Sequence, residues 1–328
     1  MDRKKNKRVF ISAAAVFCTV FFAALFFGGT KIPFTDALCG IFGKGSGNVS
    51  VIMQSVRLPR VIASVIAGAG LSVSGVLLQS VTDNGLASPN IIGINSGAGF
   101  LTIVFLCFFP ASVAFLPFAA FLGAFGASAI ILLISKRIGN SKGSVILAGM
   151  ALTALLNGGI SFVSVLDSDV LAAYNYFSVG GLSGVQMKSL LIPACLVFVS
   201  WVLVLTVSDR IGVLSLGDSV ATSLGIRVSA LRLLCLICAS ASAAAVVSFA
   251  GLLGFVGLVV PHILRRLFGG NIRACIAAAP YVGGALVTLA DLLGRVIIAP
   301  SEIPVGIVMA FVGAPFFLVI LLRRRKYA

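Results

Sequence analysis

The chain has 328 residues, of which 59% are hydrophobic and only 10% are charged. Soluble globular domains carry about a quarter charged residues, so this composition excludes a soluble protein and indicates a multi-pass membrane protein. A formal net charge of +15 would suggest nucleic-acid binding in a soluble chain. Here Lys and Arg cluster between apolar segments and at the termini, which is the positive-inside pattern. We therefore expect membrane lipid around the chain and no nucleic acid.

Successive apolar segments predict about ten transmembrane helices in a single domain, 1–328. They cover about 9–29, 57–81, 91–109, 112–135, 144–166, 190–207, 229–249, 258–268, 273–298 and 305–322. The first run resembles a signal peptide, but no convincing cleavage site follows it, so we expect a retained helix. With both termini cytoplasmic, all but six of the 24 Lys and Arg lie inside. The six are Lys31, Lys44, Arg57, Arg60, Lys188 and Arg295.

Three connections are long enough to carry structure of their own. Residues 30–56 read as a Gly-rich outer loop, and 167–188 as an outer stretch with a short interfacial helix. Residues 209–228 form an inner loop. Within it Asp218 can cap a short helix over 219–224 that Gly225 ends. Such a helix suits a docking element, although a plain connection fits the pattern nearly as well.

The second span is unusual for its small residues. Ser64, Gly68 and Ser72 recur every four positions, which lets another helix approach closely. A polar break over 82–90 follows, and we expect this span to pack tightly and to line or gate a path. The candidate packing and gating residues are Ser64, Gly68, Ser72, Gly75, Gln79, Asn84, Pro89 and Gly93.

Charges within the spans are costly unless they are paired or face water. Asp291 and Arg295 stand four apart, which permits local neutralisation. Alternatively, Arg295 joins Arg57 and Arg60 in a basic patch at the outer mouth. For Arg57 and Arg60 alone, snorkelling to the interface is an equal alternative.

Several other chemistries find little support. The sequence has no phosphate-binding Gly-x-x-x-x-Gly-Lys-Ser/Thr loop, and one histidine, His262, without clustered metal ligands. Cys235 and Cys238 have redox spacing but lie in an apolar span, which favours packing. Gly181-Leu-Ser183-Gly weakly matches intramembrane serine proteases, with His262 as base. An ion-driven secondary transporter is the main rival, but a proton relay needs more intramembrane carboxylates than Asp291.

At these positions the chain resembles the FecCD family, the permease subunits of ABC importers for ferric siderophores, haem and vitamin B12. The similarity extends from Arg57 to the C-terminus. The matching motifs are Arg57-Leu-Pro-Arg60, Gly75-Val-Leu-Leu-Gln79, Asn84-Gly-Leu-Ala-Ser-Pro89, Gly93-Ile-Asn-Ser-Gly97, Leu216-Gly217 with Ala221 and Leu224-Gly225, Gly254-Phe-Val-Gly-Leu-Val-Val-Pro-His262, Ala290-Asp-Leu-Leu-Gly-Arg295, Glu302-Ile-Pro-Val-Gly306 and Gly313-Ala-Pro-Phe-Phe317. At the first break Gly85 replaces the family's usual proline.

The resemblance implies an all-α permease of type II importer architecture in a bacterial or archaeal cytoplasmic membrane. It implies a second permease, identical or paralogous, and two ATP-hydrolysing subunits that bind ATP and Mg, so this chain would be no enzyme and would hold no cofactor or metal. The implied ATPase-coupling residues are Leu216, Gly217, Asp218, Ala221, Leu224 and Gly225. The arginines Arg57, Arg60 and Arg295 would meet acidic residues of an extracytoplasmic binding protein. The cargo would be a metal chelate, first a ferric siderophore, with haem or vitamin B12 as options.

Overall fold

A computed structural model describes residues 3–30, 32–45, 47–90, 93–138 and 142–324. Predictions that concern Lys31, Arg325 or Lys326 lie outside these ranges. The regular elements found in the described residues are all helical. They are α1 (Arg3–Phe26), α2 (Phe34–Ile41), α3 (Gly47–Val51), α4 (Leu58–Thr82), α5 (Ile94–Phe108), α6 (Leu116–Ile138), α7 (Lys142–Leu166), α8 (Ser168–Val179), α9 (Leu191–Thr206), α10 (Ser208–Leu214), α11 (Asp218–Ser223), α12 (Val228–Ala250), α13 (Val256–Phe268), α14 (Ile272–Val296) and α15 (Val305–Arg324).

Seven helical segments in the described part of the chain are long and apolar enough to cross a membrane. They are Asn6–Phe26, Gly47–Thr82, Val113–Ile134, Val145–Leu166, Met187–Thr206, Val228–Ala250 and Ile272–Val296. Two shorter apolar helices, Ile94–Phe108 and Val305–Val319, accompany them, and α13 carries Pro261 within it. The prediction of an all-helical membrane protein is therefore confirmed, while the count of about ten spans stays a prediction.

The helix α4 lies at the centre of the molecule, and its predicted position is confirmed to within a residue or two. In the most apolar 18-residue stretch of the segment Gly47–Thr82, which includes α4, 83% is buried inside the protein. The corresponding share for Asn6–Phe26, in α1, is 11%. It packs against α14, α12 and α13, which come from the second half of the chain. Because α4 is enclosed by other helices, the side chains at its two ends are held in fixed positions.

The prediction of a loop over residues 30–56 is wrong for much of its length. The helix α2 follows Pro33, and α3 runs through a π-helical turn, Ile52–Arg57, directly into α4. The reason is a small apolar core of Leu25, Ala37 and Met53, which these short helices bury. By contrast, the predicted short helix within 167–188 is confirmed as α8, and the Asp167 side chain accepts hydrogen bonds from the first-turn amides.

Candidate functional site

Small residues of α4 stand at its closest approaches to three neighbouring helices. A methyl group at Gly68 would overlap the carbonyl oxygen of Gly283 in α14, and one at Gly75 would overlap that of Gly257 in α13. A methyl at Gly70 would lie 2.6 Å from a methyl of Val246 in α12. Backbone meets backbone at the first two contacts, so only glycine fits there.

Two serines of α4 add hydrogen bonds across the contact with α14. The Ser64 hydroxyl lies 2.8 Å from the Thr288 hydroxyl, and the Ser72 hydroxyl donates to the carbonyl of Ala279 at 2.7 Å. All of these side chains are buried. In a bilayer such pairs contribute about 0.6 kcal/mol each on average.

The carboxyl-terminal end of α4 leads into the polar break. Gln79 donates to the Gly257 carbonyl at 3.4 Å and accepts a hydrogen bond from Arg265 of α13. Asn84 accepts from the Leu86 amide at 2.9 Å, which holds the turn at Gly85.

The break then meets α5. The Pro89 carbonyl accepts from the Ile94 amide at 3.2 Å. Gly93 stands before α5 with φ of +66°, a conformation that favours glycine.

A row of alternating charges lies at the amino-terminal end of α4. Arg295 Nε is 3.0 Å from Asp291 Oδ2, and Arg60 Nε is 2.9 Å from Asp291 Oδ1. Arg60 Nη1 then reaches Glu302 Oε2 at 2.6 Å. The side chain of Asp291 is 1% exposed and that of Glu302 is 38% exposed. The row therefore begins in the protein interior and ends at the surface.

The third arginine, Arg57, caps the end of α1 together with Arg295. Arg57 donates to the carbonyls of Leu25 and Phe26, the latter at 2.7 Å, and also to Thr30. Arg295 donates to the carbonyls of Ala24 at 3.1 Å and Phe27 at 3.3 Å. The last carbonyls of a helix have no partner within it and carry partial negative charge, so two guanidinium groups stabilise this terminus.

The snorkelling alternative for Arg57 and Arg60 is wrong, because the two residues are 4% and 6% exposed. Arg295 is 3% exposed. Local neutralisation of Asp291 and Arg295 is confirmed and includes Arg60. Arg60 nevertheless borders three cavities of about 230, 170 and 500 Å³, and Arg57 and Arg295 also line the first of them. The docking role of the arginines stays a prediction, and Arg60 is the one whose ion-pair partner reaches the surface.

The two carboxylates bound to Arg60 differ in how firmly they are held. Removing Asp291 would leave two buried arginines short of a partner, and breaking such a buried pair costs about 3–5 kcal/mol. In the Arg60–Glu302 pair the carboxylate is 38% exposed, so water screens this pair more than the buried one. Asp291 is therefore the more firmly held of the two carboxylates.

The loop over residues 209–228 contains most of α10 and all of α11, but Asp218 does not cap α11 as predicted. Its two carboxylate oxygens each lie 3.0 Å from Nη2 of Arg232, a buried residue of α12, so the carboxylate is engaged there. Gly217 precedes α11 instead, with φ of +104°. Gly225 follows it with φ of +78°. The ion pair links α11 to α12.

Three large aliphatic side chains of this loop, Leu216, Val220 and Leu224, are exposed at four-residue intervals, and we call them the apolar ridge. Leu216 and Leu224 are 63% and 64% exposed, and Val220 between them is also exposed. Ala221 faces the other way and is fully buried. A solvated loop does not normally present three large aliphatic side chains together, which indicates a contact surface.

The chemistries for which the sequence offered little support gain none from the geometry. Ser183 is exposed beside two of the cavities, whereas His262 of α13 packs edge-on against Phe316. Cys235 and Cys238 are buried free thiols in α12. The described residues contain no group of three or more His, Cys, Asp or Glu that could hold a metal ion.

Residues 16–323 match the FecCD transport family. The chain belongs to this family. It is 35% identical to the iron(3+)-hydroxamate import system permease protein FhuG of Bacillus subtilis, over 98% of this chain and 99% of that one. The Fe(3+)-citrate import system permease protein YfmE of the same organism is 37% identical over 82% and 81% of the two chains. A solved inward-facing metal-chelate type ABC transporter superposes with a TM-score of 0.84 at 28% identity, covering 97% of this chain and 99% of that one.

The sequence of this FecCD chain did not suggest roles for three residues: Glu302 beside the arginines, and Arg232 and Val220 at the loop 209–228. Glu302 was part of a recognised motif but had no assigned role, and its contact with Arg60 joins residues 242 positions apart. Arg232 is a charged residue inside a span, which could have flagged it. Val220 occupies the middle of the apolar ridge, where its spacing between Leu216 and Leu224 was the available signal.

Proposed function

We propose that this chain is the transmembrane permease subunit of an ATP-driven importer that carries a metal chelate into the cell. The observation that carries the proposal is similarity along the whole chain to a hydroxamate-iron permease, with 98% of this chain and 99% of the relative aligned. A ferric siderophore is the first candidate cargo, and haem or vitamin B12 are the alternatives. The chain would work by alternating access, without chemistry of its own.

The proposed assembly has type II importer architecture in the cytoplasmic membrane of a bacterium or archaeon. About ten spans with both termini inside, a second permease, and two ATPase subunits that bind ATP and Mg are its elements. The ridge of Leu216, Val220 and Leu224 would seat in an ATPase subunit. The turn at Gly217, buried Ala221, Gly225 and the Asp218–Arg232 pair would hold the ridge in position.

On the outer side, a substrate-binding protein would dock over Arg57, Arg60 and Arg295. The contacts of the three arginines suggest a division of labour. Arg57 and Arg295 hold the end of α1, so their contribution to docking would be indirect. Arg60 borders the outer cavities and would receive an acidic side chain.

The function is tested by reconstituting the chain with its ATPase and binding protein in liposomes and measuring uptake of a ferric siderophore. We expect uptake that requires all components and ATP. Leu224→Glu should abolish copurification of the ATPase, while Leu224→Met, which preserves the volume, should not. Uptake by this chain alone, driven by a proton or sodium gradient, would instead identify a secondary transporter.

A further inference from the structure

We infer that Glu302 occupies the place on Arg60 that a carboxylate of the docking protein takes over when it binds. The inference rests on the proposed function, since it requires an acidic partner on the outer side. It assigns a role to a residue for which the sequence motif gave none. Binding would then be an exchange of one carboxylate for another.

The first support is the unequal setting of the two carboxylates. Asp291 is enclosed between Arg60 and Arg295: Arg60 Nε donates to both of its oxygens, at 2.9 and 3.2 Å, and Arg295 Nε lies 3.0 Å from Oδ2. Glu302 ends the row and is 38% exposed. A carboxylate held by one arginine and partly wetted can leave without stranding a second charge, whereas Asp291 cannot.

The second support is a route to Arg60 from outside. Two cavities, of about 230 and 170 Å³, are lined by both Arg60 and Glu302. A third, of about 500 Å³, reaches Arg60 from another side, between Gln54–Arg60 and Gly184–Lys188. Gln54, Gln186 and Lys188 on its rim are exposed. The lysine charge and the amide groups favour an acidic side chain over a basic or apolar one.

The third support is the charge balance. Arg57, Arg60 and Arg295 carry three positive charges against the two negative charges of Asp291 and Glu302. If an incoming carboxylate replaces Glu302, Arg60 remains paired throughout, and the displaced carboxylate returns to water. No buried charge is left alone at any point, which a buried site requires.

The test measures the dissociation constant of the binding protein for the assembled complex in nanodiscs, using the protein that stimulates ATP hydrolysis by the wild type. Glu302→Gln removes the internal competitor and should tighten binding about two- to fivefold. Asp36→Asn removes an exposed carboxylate on α2 that has no contact with Arg60, and should leave affinity unchanged. Unchanged or weaker binding by Glu302→Gln would overturn the exchange while leaving the proposed function intact. No binding by the wild type would count against the proposed function itself.

Two further measurements separate exchange from simple repulsion. In an Arg60→Gln background, Glu302→Gln should no longer raise the affinity for the binding protein, and a rise that persists would overturn the exchange. Docking should also raise amide hydrogen exchange over residues 299–304, where the Ile303 amide donates to the Gly294 carbonyl at 2.9 Å. Unaltered exchange there would contradict release of Glu302, and this readout needs no variant. If Glu302→Gln does not assemble, the shorter Glu302→Asp should tighten binding in the same direction, and unchanged affinity would again overturn the proposal.

Discussion

Gly68 of α4 and Gly283 of α14 face each other with no side chain between them, and each would drive a methyl group into the other's carbonyl. Helices in a bilayer gain little from hydrophobic burial against one another, so close backbone contact of this kind holds them together. The pair lies between the polar contacts Ser64–Thr288 and Ser72–Ala279. The same stretch of α4 therefore combines close contact with hydrogen bonding.

Gly68→Ala should destabilise the protein by about 1–3 kcal/mol, because the added methyl meets backbone atoms that cannot rotate away. The measurement is the midpoint of thermal aggregation in detergent. Gly158→Ala in α7 is the matched control, since a methyl there meets nothing within 4 Å. Equal midpoints for Gly68→Ala and the wild type would show that the two helices can separate without cost.

Arg57→Met should loosen α1, since the carbonyls of Leu25 and Phe26 lose their donor. Leaving buried acceptors unsatisfied costs about 1–3 kcal/mol. Limited proteolysis of the 27–33 segment should become faster, and the melting midpoint should fall. Replacing a residue that serves only for docking would leave the proteolysis rate and the melting midpoint unchanged. We expect this result for the exposed control Lys188→Gln.

Asp291→Asn should destabilise the protein by about 3–5 kcal/mol, because Arg60 and Arg295 lose the charge that they share. Unfolding by denaturant in mixed micelles measures the loss. Glu302→Gln should cost no more than about 1 kcal/mol in the same assay. Similar losses for the two variants would contradict the distinction between a fixed and an exchangeable carboxylate.

Asp218→Asn should lower transport per ATP about two- to tenfold, since α11 loses its attachment to Arg232 and transmits motion less well. The double variant Asp218→Arg/Arg232→Asp, which swaps the two charges, should recover part of the lost transport. Asp209→Asn, which breaks the exposed pair with Arg273, is the control and should have no effect. Full activity of Asp218→Asn would show that the Asp218–Arg232 pair has no part in coupling.

Local patterns predicted the spans and the close packing of α4, because hydrophobic length and the four-residue spacing of Gly68 and Ser72 are properties of one helix. Long-range partners were beyond such reasoning. The pairing of Arg60 with Glu302, and of Arg57 with the end of α1, depends on how distant helices pack. The sequence could place these charges near one end but could not show which were already engaged.

The error at Asp218 has the same origin. A short polar side chain ahead of a helix normally caps it, and this rule holds for Asp167 before α8. At α11 a competing guanidinium of Arg232 lies within reach, and a charged partner binds a carboxylate more strongly than backbone amides do. Tertiary contact overrode a local preference.

The capped end of α1 has a consequence for biogenesis. Two guanidiniums satisfy its final carbonyls, and one of them, Arg295 of α14, lies 271 residues beyond its acceptor Ala24, so it is synthesised much later. Until then, water or lipid headgroups must serve the carbonyls of Ala24 and Phe27. The helix α1 is thus complete long before one of its two capping residues exists, so truncation ahead of α14 should loosen it from the bundle.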